Sequence, residues 1–127
     1  NRPFRVLFVC IGNAIRSQMA EGFARCYGAD VMTARSAGLA PAANVMPLTR
    51  KIMLDKNIDL GDVFPKGLAD HGGEPFDLII NLSGQPIPAR DLRAPSRDWK
   101  IKDPMGGKEQ AYRDAADQIE RLVMQLV

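Results

Sequence analysis

The sequence predicts an α/β protein, a three-layer sandwich with a central, mostly parallel four-stranded sheet and helices on both faces. Three observations carry this. An apolar, branched run at residues 4–9 leads into a helical pattern, a second strand-like run at 31–36 completes a strand, helix, strand unit, and two more strand-like segments precede a long amphipathic stripe. Alternation of this kind builds a doubly wound sheet, in which ligands bind beyond the carboxyl ends of the strands.

Each element has its own signal. Residues 4–9 are apolar except for Arg5 and read as a buried parallel strand. Helix one follows a loop, with Ser17 able to cap it, and Met19, Ala20, Phe23, Ala24 and Tyr27 recur at helical spacing before Gly28 ends the run. Residues 31–36 alternate weakly and run into Ser36-Ala37-Gly38, a strand entering a turn. After a Pro/Ala-rich loop, Pro47 opens a second helix over 48–56, with Asn57 or Gly61 at its exit. Residues 61–75 mix prolines, glycines and charges, with one short helix expected at 66–70. The segment 76–82 is strongly apolar and reads as a central strand, closed by Ser83-Gly84. Residues 86–95 are irregular, 99–101 offer a short edge strand, and from Lys108 onward Tyr112, Ala115, Ala116, Ile119, Leu122, Val123 and Leu126 form one helical stripe of core support.

Composition bounds the rest. The chain has 127 residues, 46% of them hydrophobic, enough for one domain over 1–127 and too few for two. A net charge of +2 argues for neither nucleic acid nor an anionic membrane as partner, although a mildly basic surface suits an anionic substrate. The chain starts at Asn1, so trimming of a native N-terminus is expected; no signal-peptide pattern and no apolar stretch of about 18 residues is present, and a cytoplasmic setting is expected. Only Cys10 and Cys26 could pair, and a disulfide scaffold is not expected. There is no internal repeat or low-complexity tract.

The chemistry concentrates at the end of the first strand. Cys10 and Arg16 bracket five loop residues, Ile11-Gly12-Asn13-Ala14-Ile15, and Ser17 follows. A strand that turns into a helix leaves backbone N–H groups unpaired where the helix dipole favours negative charge, a cradle for a tetrahedral oxyanion. Gly12 and Asn13 tolerate the positive φ that such a turn requires, and Arg16 brings a planar fork for two oxygens. The same field favours Cys10 as a thiolate nucleophile at neutral pH, with Ser17 able to hydrogen-bond the sulfur.

A leaving oxygen needs a proton, so a carboxylic acid is expected across from the sulfur. Asp103 is the candidate, held extended by Pro104 beside Gly106-Gly107; spacing alone leaves an ordinary Asp-Pro turn open. His71, the only histidine, lies in a Gly-rich charged stretch and reads as a surface residue. The methionines and Trp99 read as packing, and neither metal nor organic cofactor is indicated.

The run Val9-Cys10-Ile11-Gly12-Asn13-Ala14-Ile15-Arg16-Ser17, followed by Met19-Ala20-Glu21, Ser36-Ala37-Gly38 and Asp103-Pro104, resembles the low-molecular-weight protein tyrosine phosphatases and the related thioredoxin-coupled arsenate reductases. The resemblance is strong at 6–24 and 99–107 and weak at 61–95. It implies the low-molecular-weight phosphatase fold, with Cys10 as nucleophile, Arg16 as anion clamp, Asp103 as general acid, and substrate contacts from Ile11, Gly12, Asn13, Ala14, Ile15 and Ser17. It also implies that Asn13, Ser17 and Ser36 hydrogen-bond one another to support the loop. In some arsenate reductases of this fold, residues matching Asn13, Glu21 and Ser36 help bind a potassium ion.

Two enzymes on this scaffold differ in what resolves the covalent adduct: water in one, a thiol in the other. Self-contained arsenate reductases keep further cysteines near 82 and 89, where this chain has Leu82 and Ala89, and Cys26 lies about nine residues up helix one, roughly 13 Å along its axis. Ile15 stands where many phosphatases carry a second loop cysteine. Ile11, apolar, leans toward an aryl phosphate, while Met105-Gly106 and Asn81-Leu82-Ser83-Gly84 depart from the phosphatase pattern. The expectation is a protein tyrosine phosphatase acting on phosphorylated protein through a cysteinyl-phosphate. The alternative is a single-cysteine arsenate reductase that borrows a thiol such as glutathione or mycothiol and a glutaredoxin-like partner. A non-catalytic oxyanion-binding regulator ranks last, because Asp103 is intact.

Overall fold

A computed structural model describes residues 3–127. Four strands form one parallel sheet in the order β2-β1-β3-β4: β1 (Phe4–Cys10), β2 (Met32–Gly38), β3 (Leu78–Asn81) and β4 (Ser96–Asp98). Three α-helices accompany them, α1 (Arg16–Tyr27), α2 (Pro47–Asp55) and α3 (Glu109–Leu126). The α/β class and the parallel order follow the sequence expectation. No helix among the described residues is long and apolar enough to cross a membrane.

The pleat divides the core. Val6, Phe8, Leu78 and Ile80 face the α-helices and bury with Met19, Phe23, Ile52, Tyr112 and Ile119, while the alternate residues Leu7, Val9 and Ile79 face the other way. That second face is covered by Ile87, Leu39, Leu68, Phe76 and Ala94, carried by loops and by the short 3-10 helix Leu68–His71; a second 3-10 helix, Ala89–Asp91, lies between Ile87 and Ala94 in the chain. The thick helical layer lies on one side, and a thin layer of turns on the other.

Three expectations shift. The edge strand lies at Ser96–Asp98 rather than 99–101, because backbone pairing and burial separate there. Ser96, Arg97 and Asp98 pair with β3 while exposed, whereas the Trp99 ring, partly buried, packs against the core 5.8 Å from that of Phe8. Ser17 does not cap α1: the cap position is Ile15, without a side-chain bond, and the Ser17 hydroxyl is committed elsewhere. His71 is buried rather than on the surface, its Nε2 2.9 Å from the Ser36 carbonyl oxygen and its Nδ1 3.0 Å from Glu74. The ring ties the thin layer to β2.

Candidate active site

The site grows from the end of β1. Cys10 closes the strand opposite Gly38, and the chain turns through residues 11–15 into α1. Every carbonyl of this turn is taken by a protein donor. Cys10 O, Ile11 O and Gly12 O accept from the N–H groups of Leu39, Ala40 and Ala42 at 2.9, 2.8 and 2.9 Å, and Ala14 O accepts from Met46 N–H and the Thr49 hydroxyl. Asn13 O accepts from the Gln18 amide, and Ile15 O from Met19 N–H. The N–H groups are left over: none from residues 11–16 donates a hydrogen bond among the described residues. Unpaired donors on a turn at a helix N-terminus form a seat for an anion.

Asn13 is the strained point of the turn, at φ 51°, and is fully buried; Gly12 does not share the positive φ. The side chain justifies the strain. Asn13 Nδ2 donates to Ser17 Oγ at 2.7 Å, and Asn13 Oδ1 accepts from Gln18 Nε2 and from Lys66 N–H at 3.0 and 2.9 Å. Because Ser17 accepts from Asn13, its own proton is free for the Cys10 sulfur, 2.8 Å away. Cys10 itself is 2% exposed.

Arg16 approaches from the start of α1. Its Nη1 donates to Leu82 O at 2.6 Å and Ile101 O at 3.1 Å, and its Nη2 lies 3.3 Å from Asp103 Oδ2. Two carbonyls from the ends of β3 and the β4 segment thus fix the guanidinium plane, and the guanidinium faces the carboxylate. Asp103 is the exposed member, with its Oδ1 accepting from Met105 N–H at 3.0 Å in the turn that Pro104 begins. Behind it, burial first and the Asp103 charge second push up the pKa of Tyr112. Burial also lowers the pKa of Lys66, next to Asn13.

Cys10, Asn13, Arg16, Ser17 and Asp103 therefore meet in one place. Ala14 and Ile15 send their side chains into the core, so their part in the loop is backbone alone. No hydrogen bond joins Ser36 to Asn13 or Ser17 among the described residues; its hydroxyl donates to Glu21. Asn13, Glu21 and Ser36 do not fit a potassium ion. Both Glu21 oxygens are engaged, one by Ser36 and one by Arg25 at 2.5 Å, and Asn13 Oδ1 already holds two donors.

Sequence reading missed Gly38, Gln18 and Thr49, which hold the loop from outside. A Cβ at Gly38 would stand 2.6 Å from Ile11 O and 2.8 Å from Asn13 N, both backbone, so only glycine lets β2 pass so close. The Ser-Ala-Gly triplet marked a turn, and the resemblance set Ser36 rather than Gly38 against the loop. Gln18, one residue beyond Ser17, is polar at a position that the fold buries, which is the available signal.

The family model for low molecular weight phosphotyrosine protein phosphatase matches residues 5–127. A glutaredoxin arsenate reductase of Synechocystis sp. is 30% identical over 126 residues, covering 97% of this chain and 95% of that one. The solved structure of an arsenate reductase in its phosphate-binding state superposes with a TM-score of 0.89 at 30% identity, covering 97% of this chain and 95% of the other. An arginine phosphatase from Geobacillus stearothermophilus, 24% identical with a TM-score of 0.82 over 98% of this chain and 90% of its own, shares the fold.

These relatives overturn the leading expectation of tyrosine phosphatase activity, which rested on Leu82 and Ala89 standing where a cysteine relay would be and on the apolar Ile11. The runner-up, arsenate reduction, fits the relatives better.

Proposed function

The chain belongs to the low molecular weight phosphotyrosine protein phosphatase family, and on that premise we propose that it reduces arsenate with an external thiol. One observation carries the reading: a single buried thiol lies beneath an anion seat, in a chain whose full-length relatives are named arsenate reductases, and Leu82 occupies the position beside it. The other cysteine, Cys26, is exposed near the far end of α1.

Arsenate sits on the free N–H groups of residues 11–16 with Arg16 on its oxygens. The Cys10 thiolate attacks arsenic, Asp103 gives a proton to one arsenate hydroxyl, that group departs as water, and a sulfur–arsenic(V) bond forms. Ser17 holds the sulfur through its hydroxyl. A second thiolate then attacks the Cys10 sulfur; a sulfur–sulfur bond forms, and the sulfur–arsenic pair of electrons passes to arsenic, which leaves as arsenite, arsenic(III), after taking up protons. Another thiol, free or on a glutaredoxin-like partner, attacks the mixed disulfide and returns Cys10 to its reduced form. Such a cycle needs a reducing compartment, consistent with the cytoplasm.

The test is arsenite production from arsenate with glutathione, mycothiol or dithiothreitol supplied in turn. Thiol-dependent arsenite release that survives Cys26→Ser and disappears in Cys10→Ser is the expected result. No arsenite with any of the three thiols overturns the proposal.

A further inference from the structure

Resting on the reading above, we infer that the groove between the ends of β3 and β4 binds the resolving thiol, and that its charges select a zwitterionic peptide thiol with two carboxylates and one ammonium. The groove encloses about 650 Å³ between Asn81, Pro86, Asp98, Trp99, Lys100 and Lys102. That volume lies within the range of about 300–1,000 Å³ usual for small-molecule sites.

Position is the first argument. Val9 pairs in register with Asn81, and Leu82 N–H donates to Val9 O at 2.7 Å, so the residue that follows Asn81 runs beside Cys10, one strand spacing of roughly 4.8 Å away. Two carbonyls join the groove to the site: Leu82 and Ile101 both bond the Arg16 guanidinium, and Ile101 itself lines the groove. Lys102 immediately precedes Asp103. The ends of β3 and β4 that form the groove thus adjoin the end of β1 that carries Cys10.

Charge is the second. Lys100, Lys102 and Asp98 are exposed, and none of the three takes part in an ion pair among the described residues. Two ammonium groups and one carboxylate around a single groove mirror a molecule that carries two carboxylates and one ammonium about a central thiol. The turn below them is rigid, because Asn81 Nδ2 donates to Gln85 O at 2.7 Å and Asn81 Oδ1 accepts from Ser83 N–H at 2.9 Å. Trp99 and Pro86 add apolar surface on which the peptide stem can lie.

The step this places is the second one of the cycle. The peptide thiolate attacks the Cys10 sulfur, the new disulfide joins the peptide to Cys10, and arsenite leaves with the electron pair of the broken sulfur–arsenic bond. A second molecule of the same thiol releases the disulfide of the peptide and restores Cys10.

Kinetics and fluorescence test this together on the whole chain. In Lys100→Glu/Lys102→Glu the KM for glutathione is expected to rise about fivefold or more, as reversal of two solvent-facing charge contacts implies. The KM for arsenate and the rate with 2-mercaptoethanol, which has no charges to recognise, are expected to stay within about twofold on the same ground. Trp99 is the only tryptophan, so S-methylglutathione, which binds without reacting, is expected to change its emission in wild type and to do so only at higher concentration in the double variant. Equal losses with glutathione, 2-mercaptoethanol and arsenate, or a Trp99 signal indifferent to both analogue and variant, overturn the assignment. If no thiol supports arsenite release but Trp99 still titrates with S-methylglutathione in a lysine-dependent way, the groove stands and the reductase reading falls.

Discussion

The loop of residues 10–17 and the wall at 82–103 face each other across Arg16, and they are built by opposite means. The loop is one contiguous stretch that works through its main chain: its carbonyls are tied outward, its N–H groups are free, and the side chains of Ala14 and Ile15 go to the core. The wall is assembled from two strand ends far apart in sequence and works through one side chain, Asp103, on an exposed turn. Damage to the loop backbone should therefore cost structure and chemistry together, and damage to the wall should cost chemistry alone.

The largest effect expected is Cys10→Ser, which removes the nucleophile and lowers arsenite formation at least about a thousandfold. Thermal unfolding checks that the fold is intact. Asp103→Asn comes next, with a loss of about 10²- to 10⁴-fold in turnover for a removed general acid and an unchanged melting temperature, since the side chain is 43% exposed. A parallel drop in stability would break the contrast drawn above.

Gly38→Ala probes the loop from outside, by crowding the backbone of residues 11–13 that forms the anion seat. Its new methyl collides with backbone at 2.6 Å, so a destabilisation of about 1–3 kcal/mol in denaturant unfolding and a fall in activity are expected together. Activity at wild-type level in that variant would show that β2 does not set the loop.

The smallest effect lies away from both regions, where Arg113 hydrogen-bonds Asp55 and Glu109 and holds both carboxyls below their ordinary range. A folded pKa below the unfolded one gives stability that is present above the unfolded value, about pH 4, and is lost as pH falls through the folded value. The melting temperature of Arg113→Met should trail wild type at neutral pH and converge with it on acidification.

Much of this was legible in the chain. Cys10, Asn13, Arg16 and Ser17 are neighbours in sequence, so their meeting needs only a strand, a turn and a helix, each with its own local signal. Asp103 was legible as a candidate because Asp-Pro restricts the backbone, but its distance from Arg16 depends on how β4 ends. Residues 61–98 hid two things: His71 is buried because its ring bonds Ser36 and Glu74, and the β4 pairing falls on polar, exposed residues that carry no strand pattern. Ile11 misled the choice of substrate, since an apolar residue beside the cysteine does not by itself say which oxyanion the seat takes.

By itself the sequence determined the alternation of strands and helices, the place of the thiol at the end of the first strand and the residues of the anion loop, because these depend on interactions over a few positions. Only the tertiary structure decided that Gly38 must be glycine, that Leu82 and Ile101 orient Arg16 toward Asp103, and that two lysines and an aspartate ring one groove. Each of those depends on strands brought side by side across tens of residues, a closeness that no local pattern encodes.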